Sequence, residues 1–333
     1  MSLYRMLSDK RLLRSDGSEL PHKDLVKFWE FYNLMTGSLL SRFIFRGESD
    51  RNLRRQFNVD TKTPEMLCEC LFMTGEKGRI CWADNDGMDP DDISAENFLN
   101  ICSSLARYID EGIGAGGNRA KRINAFCEKE ELFCNGIRNE TVLVKAYEKL
   151  GQEDRMKVNL YYLAIAHTIN DKEYKDISGY VSTTTNAGVA GIFAHDACIY
   201  GWVPKNIWKG KGRKKTIDFV DTNEISEIES TGLPYCNSAV FPNQEEIAIR
   251  CGLLPHFIIG LAIERDFYVN PAIFDAINEM HEMTSFREMS SYKRRLQLYG
   301  LKINQENFED FCKRTNFKKI FTFDGDNYAM YRL

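Results

Sequence analysis

The chain has 333 residues, 43% apolar and 28% charged, an ordinary globular composition with room for roughly two domain equivalents. Its 44 Lys+Arg against 48 Asp+Glu leave a net charge of -4, which excludes a uniformly basic nucleic-acid coat but not a local basic patch. No apolar run approaches the about 20 residues of a membrane helix, and MSLYRMLSDKRLLRSDG lacks the apolar centre of a secretory signal; the expectation is a cytoplasmic protein with no membrane partner.

Residues 1–40 read as an N-terminal helical segment, because Leu25, Phe28, Trp29 and Tyr32 recur at three- and four-residue spacing. Ser41–Gly47 reads as a short strand ending at glycine. Residues 62–175 carry helical stripes: Cys68, Leu71 and Phe72; then Phe98, Ile101, Leu105 and Tyr108; then Tyr161, Tyr162, Ile165 and Ile169. Beyond 175 the period shortens. β-Branched and aromatic runs at Gly179–Thr185, Ala197–Val203, Thr216–Val220, Glu246–Cys251 and Phe257–Ile263 predict strands. Residues 270–333 read as mixed, with a helix near 271–283 and a terminal strand at Ile320–Phe323. A helical lobe set between one strand and a later β-rich part predicts an α+β fold.

Ten cysteines lie scattered through apolar segments with no CxxC pair, and five histidines show no ligand spacing, so reduced buried thiols and no metal site are expected. Asp84–Asp92 holds five aspartates, but Gly87 is misplaced for an EF-hand and no glutamate closes the loop, so it reads as surface. Gly114–Gly117 does not follow a predicted strand and reads as an interhelical turn rather than a phosphate cradle. Lys205–Lys215 carries six Lys or Arg in eleven residues with Trp208 among them, either a solvated loop or a phosphate-tracking patch with an aromatic platform.

Three separated segments matter most in combination: Phe43–Gly47 with Arg46 at a strand end, Gly179–Thr185 with Ser182-Thr183-Thr184, and Phe241–Ile249 with Gln244-x-Glu246. Each has a plain explanation alone. Arg46 could pair with Glu48, the hydroxyl run could be β-propensity, and Glu246 could guard a strand edge. In this order the three resemble the mono-ADP-ribosyltransferases of the Arg–Ser–Glu class, the cholera-toxin-like and clostridial group, in their Gln-x-Glu variant. The resemblance implies an ADP-ribosyltransferase-like split β-sandwich core with an inserted helical lobe and a C-terminal extension. The expected division is a helical segment 1–40, a catalytic domain 41–265 (helical lobe 62–175, β-rich part 176–265) and an extension 266–333 packed on the same domain.

The resemblance makes NAD the ADP-ribose donor and requires no metal. It assigns catalysis to Glu246, Gln244, Ser182 and Arg46, and NAD binding to Arg46, Gly47, Ser182, Thr183, Thr184 and Phe193. It makes Glu229–Phe241, with Tyr235 and Phe241, the target-recognition loop ahead of Gln244. Chemistry supports these roles. Loss of nicotinamide leaves an oxocarbenium-like ribose, as in glycoside hydrolysis, which a carboxylate stabilises. An arginine fork suits the pyrophosphate. Ser182 can orient Glu246, while Thr183 and Thr184 brace the strand. Gln244, two residues before Glu246 on an extended chain, shares its face and meets the acceptor, with Glu245 pointing away. Phe193 is either a nicotinamide stack or core.

Departures are Thr184 where the family has serine, no arginine in residues 186–200 for a second phosphate contact, and a long helical segment. Gln at position 244 goes with acceptors other than arginine, so the target is a protein side chain or a nucleobase; the basic run favours nucleic acid and the net charge favours protein. An intracellular toxin of a toxin–antitoxin or phage-defence module, with a neutralising partner protein, or an effector injected by a dedicated secretion system is implied. A NAD glycohydrolase and a non-enzymatic interaction protein are the alternatives.

Overall fold

The computed structural model describes residues 7–57, 63–76, 92–169, 180–204, 219–222, 225–237, 243–250 and 252–315, with the backbone of 319–323 and 328–332. Its strands are β1 (Arg11–Leu13), β2 (Ser41–Glu48), β3 (Tyr180–Thr184), β4 (Ala197–Pro204), β5 (Phe219–Asp221), β6 (Glu246–Arg250), β7 (Ile258–Ile263), β8 (Asp266–Val269), β9 (Lys319–Phe323) and β10 (Tyr328–Arg332). The first eight make a mostly antiparallel sheet in the order β1-β8-β7-β4-β2-β3-β6-β5, and β9 pairs with β10 as a hairpin. With helices filling the rest, the class is α+β.

Packing groups the residues into two compact units. One comprises Met1–Trp82, Thr183–Asp218 and Arg250–Leu333; the other comprises Ala83–Ser182 and Phe219–Ile249. Residues 1–40 and 266–333 therefore join β2 in the first unit, and most of the helical lobe joins β5 and β6 in the second.

In the first unit β2 pairs with β4 from Ser41↔Pro204 to Glu48↔Ala197. Aromatic residues fill the core beside this ladder. Phe31, from the helix His22–Thr36, and Phe257 approach Trp202 edge-on at 5.7 and 5.5 Å. That helix buries Phe28, Phe31 and Met35, while Leu25, Trp29 and Tyr32 are half-buried, so its inner face is rotated from the predicted stripe. β1 and β8 were not predicted. They pair in parallel, Arg11↔Asp266 to Leu13↔Tyr268, and three or four residues are too few to show alternation.

The helix Phe286–Tyr299 begins with a capping box, Ser285 Oγ accepting from Glu288 N at 3.2 Å and Glu288 Oε2 accepting from Ser285 N at 3.3 Å. Ser285→Ala is expected to cost about 1 kcal/mol in denaturant titration, with Ser285→Asp restoring most of it. An unchanged midpoint in Ser285→Ala would remove the cap from the account of this helix.

In the second unit the helix Gln152–Ile169 is buried at every residue from Val158 to Ile169. A helix apolar on all sides is enclosed on all sides, and the predicted stripe captures only part of it. Tyr147 stacks on Phe98 at 4.1 Å, with Tyr162 edge-on to Phe98 at 5.4 Å. Arg119 donates to the Ile169 carbonyl at 2.7 Å, satisfying a helix-end acceptor. Gly116 and Gly117, at φ 72° and 67°, turn the chain between two helices, as expected for that segment.

Cys68, Cys70, Cys102, Cys134, Cys236 and Cys312 are buried, and burial pushes the Cys70 thiol up to about 12. Among the described residues no His, Cys, Asp and Glu group could hold a metal, and no helix is long and apolar enough to cross a membrane. The basic run Lys205–Lys215, residues 84–91 of the acidic loop and Phe241 lie outside the described residues.

Candidate functional site

Glu246 opens β6, and the buried residues Ile247, Ala248 and Ile249 behind it carry its side chain to 5% exposure. A buried carboxylate is costly without hydrogen bonds. Thr168 Oγ1 donates to Glu246 Oε2 at 3.0 Å, and Thr222 donates its backbone N–H and hydroxyl to the Glu246 carbonyl at 3.3 and 3.2 Å. Ser182 is half-buried on β3, its Oγ 2.9 Å from His167 Nε2. Tyr180 precedes it by two residues and shares its face; Tyr180 OH donates to the Leu160 carbonyl at 3.2 Å. That face of β3 therefore rests on the helix that bears His167 and Thr168.

Gln244 lies in the turn before β6, not on the strand. Asn243 and Glu245 have φ of 74° and 47°, a left-handed region that residues with a Cβ seldom occupy. The expected alternation of an extended chain therefore does not hold across Gln244–Glu246: the backbone turns at Glu245, which is exposed. Upstream, Tyr235 OH donates to Glu229 Oε1 at 2.9 Å. This hydrogen bond also raises the Tyr235 pKa, since a phenolate would face the carboxylate without a proton to share. Tyr162 OH donates to the Pro234 carbonyl at 2.7 Å, Cys236 N donates to Tyr161 OH at 2.9 Å, and Asn237 N donates to Glu130 Oε2 at 2.8 Å. The described part of the expected recognition loop is thus stapled to the helical part of the same unit.

In the first unit Arg46 pairs with Glu48 Oε2 at 2.9 Å, the plain explanation weighed for it, and with Glu76 Oε2 at 2.5 Å. Glu76 is fully buried, and its backbone exchanges hydrogen bonds with Leu253 at 2.9 and 3.0 Å. Gly47 meets the helix Ala187–Phe193 so closely that a Cβ there would lie 2.2 Å from the Ala190 carbonyl oxygen and 2.4 Å from Ala194 N. Gly47→Ala is expected to destabilise by about 1–3 kcal/mol, because the obstacle is backbone that must move. A melting temperature equal to wild type would show the approach to be looser.

Phe193 ends that helix 51% exposed, so of its two readings core is excluded. Thr183 and Thr184 are buried. Thr184 Oγ1 accepts from Asn186 N at 2.9 Å, and Asn186 Oδ1 caps the helix through Gly188 N at 3.0 Å.

The second unit brings Ser182 and Glu246 onto the last turn of one helix; the first sets Gly47 against the helix of Phe193 and pairs Arg46 with Glu48 and Glu76. Sequence reasoning missed His167, Thr168 and Glu76. The signal for the first two is a polar pair closing the apolar run Val158–Ile169, where burial demands partners. Glu76 carries no such signal. No protein-family model, curated protein or solved structure matches this chain.

Proposed function

We propose that this chain is a mono-ADP-ribosyltransferase that transfers ADP-ribose from NAD to a macromolecular acceptor, on an ADP-ribosyltransferase-like split β-sandwich. The observation that carries the reading is Glu246: a carboxylate at a strand start, 5% exposed, oriented by a hydroxyl, in the same unit as Ser182. Cleavage of the nicotinamide–ribose bond places positive charge on the ribose, and a carboxylate held in place beforehand needs no reorganisation to meet it. The resemblance assigns the pyrophosphate to Arg46, whose guanidinium fork is paired with Glu48 and Glu76. The exposed Phe193 is available to stack on nicotinamide.

The acceptor is a protein side chain other than arginine or a nucleobase, as Gln244 suggests. On this reading the chain is a toxin or effector acting inside cells, with a neutralising protein where it is made. The test incubates wild type and Glu246→Ala with labelled NAD and a cell lysate, following label into protein and nucleic acid along with free nicotinamide. Label in one fraction, absent with Glu246→Ala, supports the transferase and names its acceptor class. Nicotinamide release without label makes the chain a NAD glycohydrolase. No NAD consumption and no calorimetric binding leaves the non-enzymatic interaction protein.

A further inference from the structure

We propose that His167 and Thr168 are the positioning residues of this site, holding Ser182 and Glu246 from adjacent places on one helical turn. The inference rests on the ADP-ribosyl-transfer reading above. Successive helical side chains diverge by about 100°, so one can face β3 and the next β6, which are neighbours in the sheet. His167 Nε2 lies 2.9 Å from Ser182 Oγ, and Thr168 Oγ1 lies 3.0 Å from Glu246 Oε2.

Both polar residues sit in a stretch, Val158–Ile169, that is buried throughout and apolar apart from them, Asn159 and the two tyrosine hydroxyls, and there an unsatisfied hydroxyl or imidazole is expensive and water is a poor substitute partner. The turn they occupy is anchored by Arg119 at the Ile169 carbonyl, 2.7 Å away, and the same helix is held two turns earlier by Tyr180 at the Leu160 carbonyl, 3.2 Å away. Thr168 Oγ1 also lies 2.9 Å from the Ala164 carbonyl, so its proton faces two acceptors and the hydroxyl is confined. A carboxylate bonded to a confined hydroxyl is confined in turn. For Ser182, either imidazole tautomer fixes the rotamer, because Nε2 can donate to Oγ or accept from it. The helical lobe then belongs to the catalytic apparatus.

The test measures kcat and KM for NAD, by nicotinamide release, in the full chain carrying Thr168→Val, Thr168→Ser, His167→Phe or His167→Gln, with Glu246→Gln as reference. Thr168→Val keeps the shape and removes the hydroxyl. It should lower kcat about tenfold or more with KM little changed, and Thr168→Ser should recover most of the loss. His167→Phe should raise KM, because Ser182 serves the ribose, and His167→Gln should recover part. A wild-type kcat in Thr168→Val beside an inactive Glu246→Gln overturns the inference and leaves the transferase reading standing. An equal loss in Thr168→Ser also overturns it, since that pattern reports packing rather than the hydroxyl. If wild type neither turns over nor binds NAD, both fall.

Discussion

Glu246→Gln is expected to lose nicotinamide release by about 10²–10³-fold at saturating NAD, while Glu245→Gln stays within about twofold of wild type. The two carboxylates are adjacent in sequence and opposite in circumstance. Glu246 is 5% exposed and accepts a hydrogen bond from Thr168; Glu245 is exposed on a turn with φ 47°. A charge in a water-poor setting acts at low effective dielectric, whereas one at the surface is screened. Glutamine keeps the size of Glu246 and an oxygen for Thr168, so the substitution removes the charge and little else. Because that charge matters most when the ribose becomes cationic, the loss should fall on kcat and leave KM for NAD nearly unchanged. Retention of more than a third of the activity in Glu246→Gln, or an equal loss in Glu245→Gln, would sink the assignment.

The strands bearing the site were legible because each is a short β-branched or aromatic run between turn residues: β2, β3, β4, β6 and β7 fall within a residue or two of their predicted limits. What failed was reading that needed a partner. β1 has three residues, and its pairing partner lies about 250 positions away, so only the assembled sheet defines it. The turn at Glu245 was hidden for the opposite reason: Asn-Gln-Glu-Glu looks continuous with the strand, and only the backbone angles separate them. His167 shows no ligand spacing in the sequence, and Thr168 belongs to no motif. The stripe Tyr161–Ile169 treats the helix as one-sided, whereas Val158–Ile169 is enclosed all round, so every polar residue there must have a partner. Arg46 shows the limit of motif reading. The arginine was found, but Glu76, 30 residues on, is tied to it only by the fold.

Acid is expected to destabilise the first unit through His256, whose sequence context gives no hint of the effect. His256 sits in the turn Pro255–Phe257 with no exposed surface, under the bend at Gly300, and its carbonyl accepts from Leu301 N at 2.8 Å. Burial lowers its pKa from 6.5 to about 3. The folded chain therefore keeps the imidazole neutral while the unfolded chain takes up a proton below about pH 6.5. Between about 3 and 6.5 the unfolded state binds more protons, so stability rises with pH there, is complete above 6.5, and drains away as pH falls. One pH unit corresponds to about 1.4 kcal/mol, so pH 5 should cost about 2 kcal/mol against a total near 5–15 kcal/mol. Urea denaturation from pH 4.5 to 7.5, on wild type and His256→Leu, isolates the contribution. Leucine is of similar bulk and does not titrate, so every other ionisable group cancels in the difference between the two slopes. The variant should lose stability at pH 7 from imperfect packing and yet fall less steeply below pH 6.5, by about one proton. Parallel slopes would mean that His256 gains its proton in the folded state as easily as in the unfolded one.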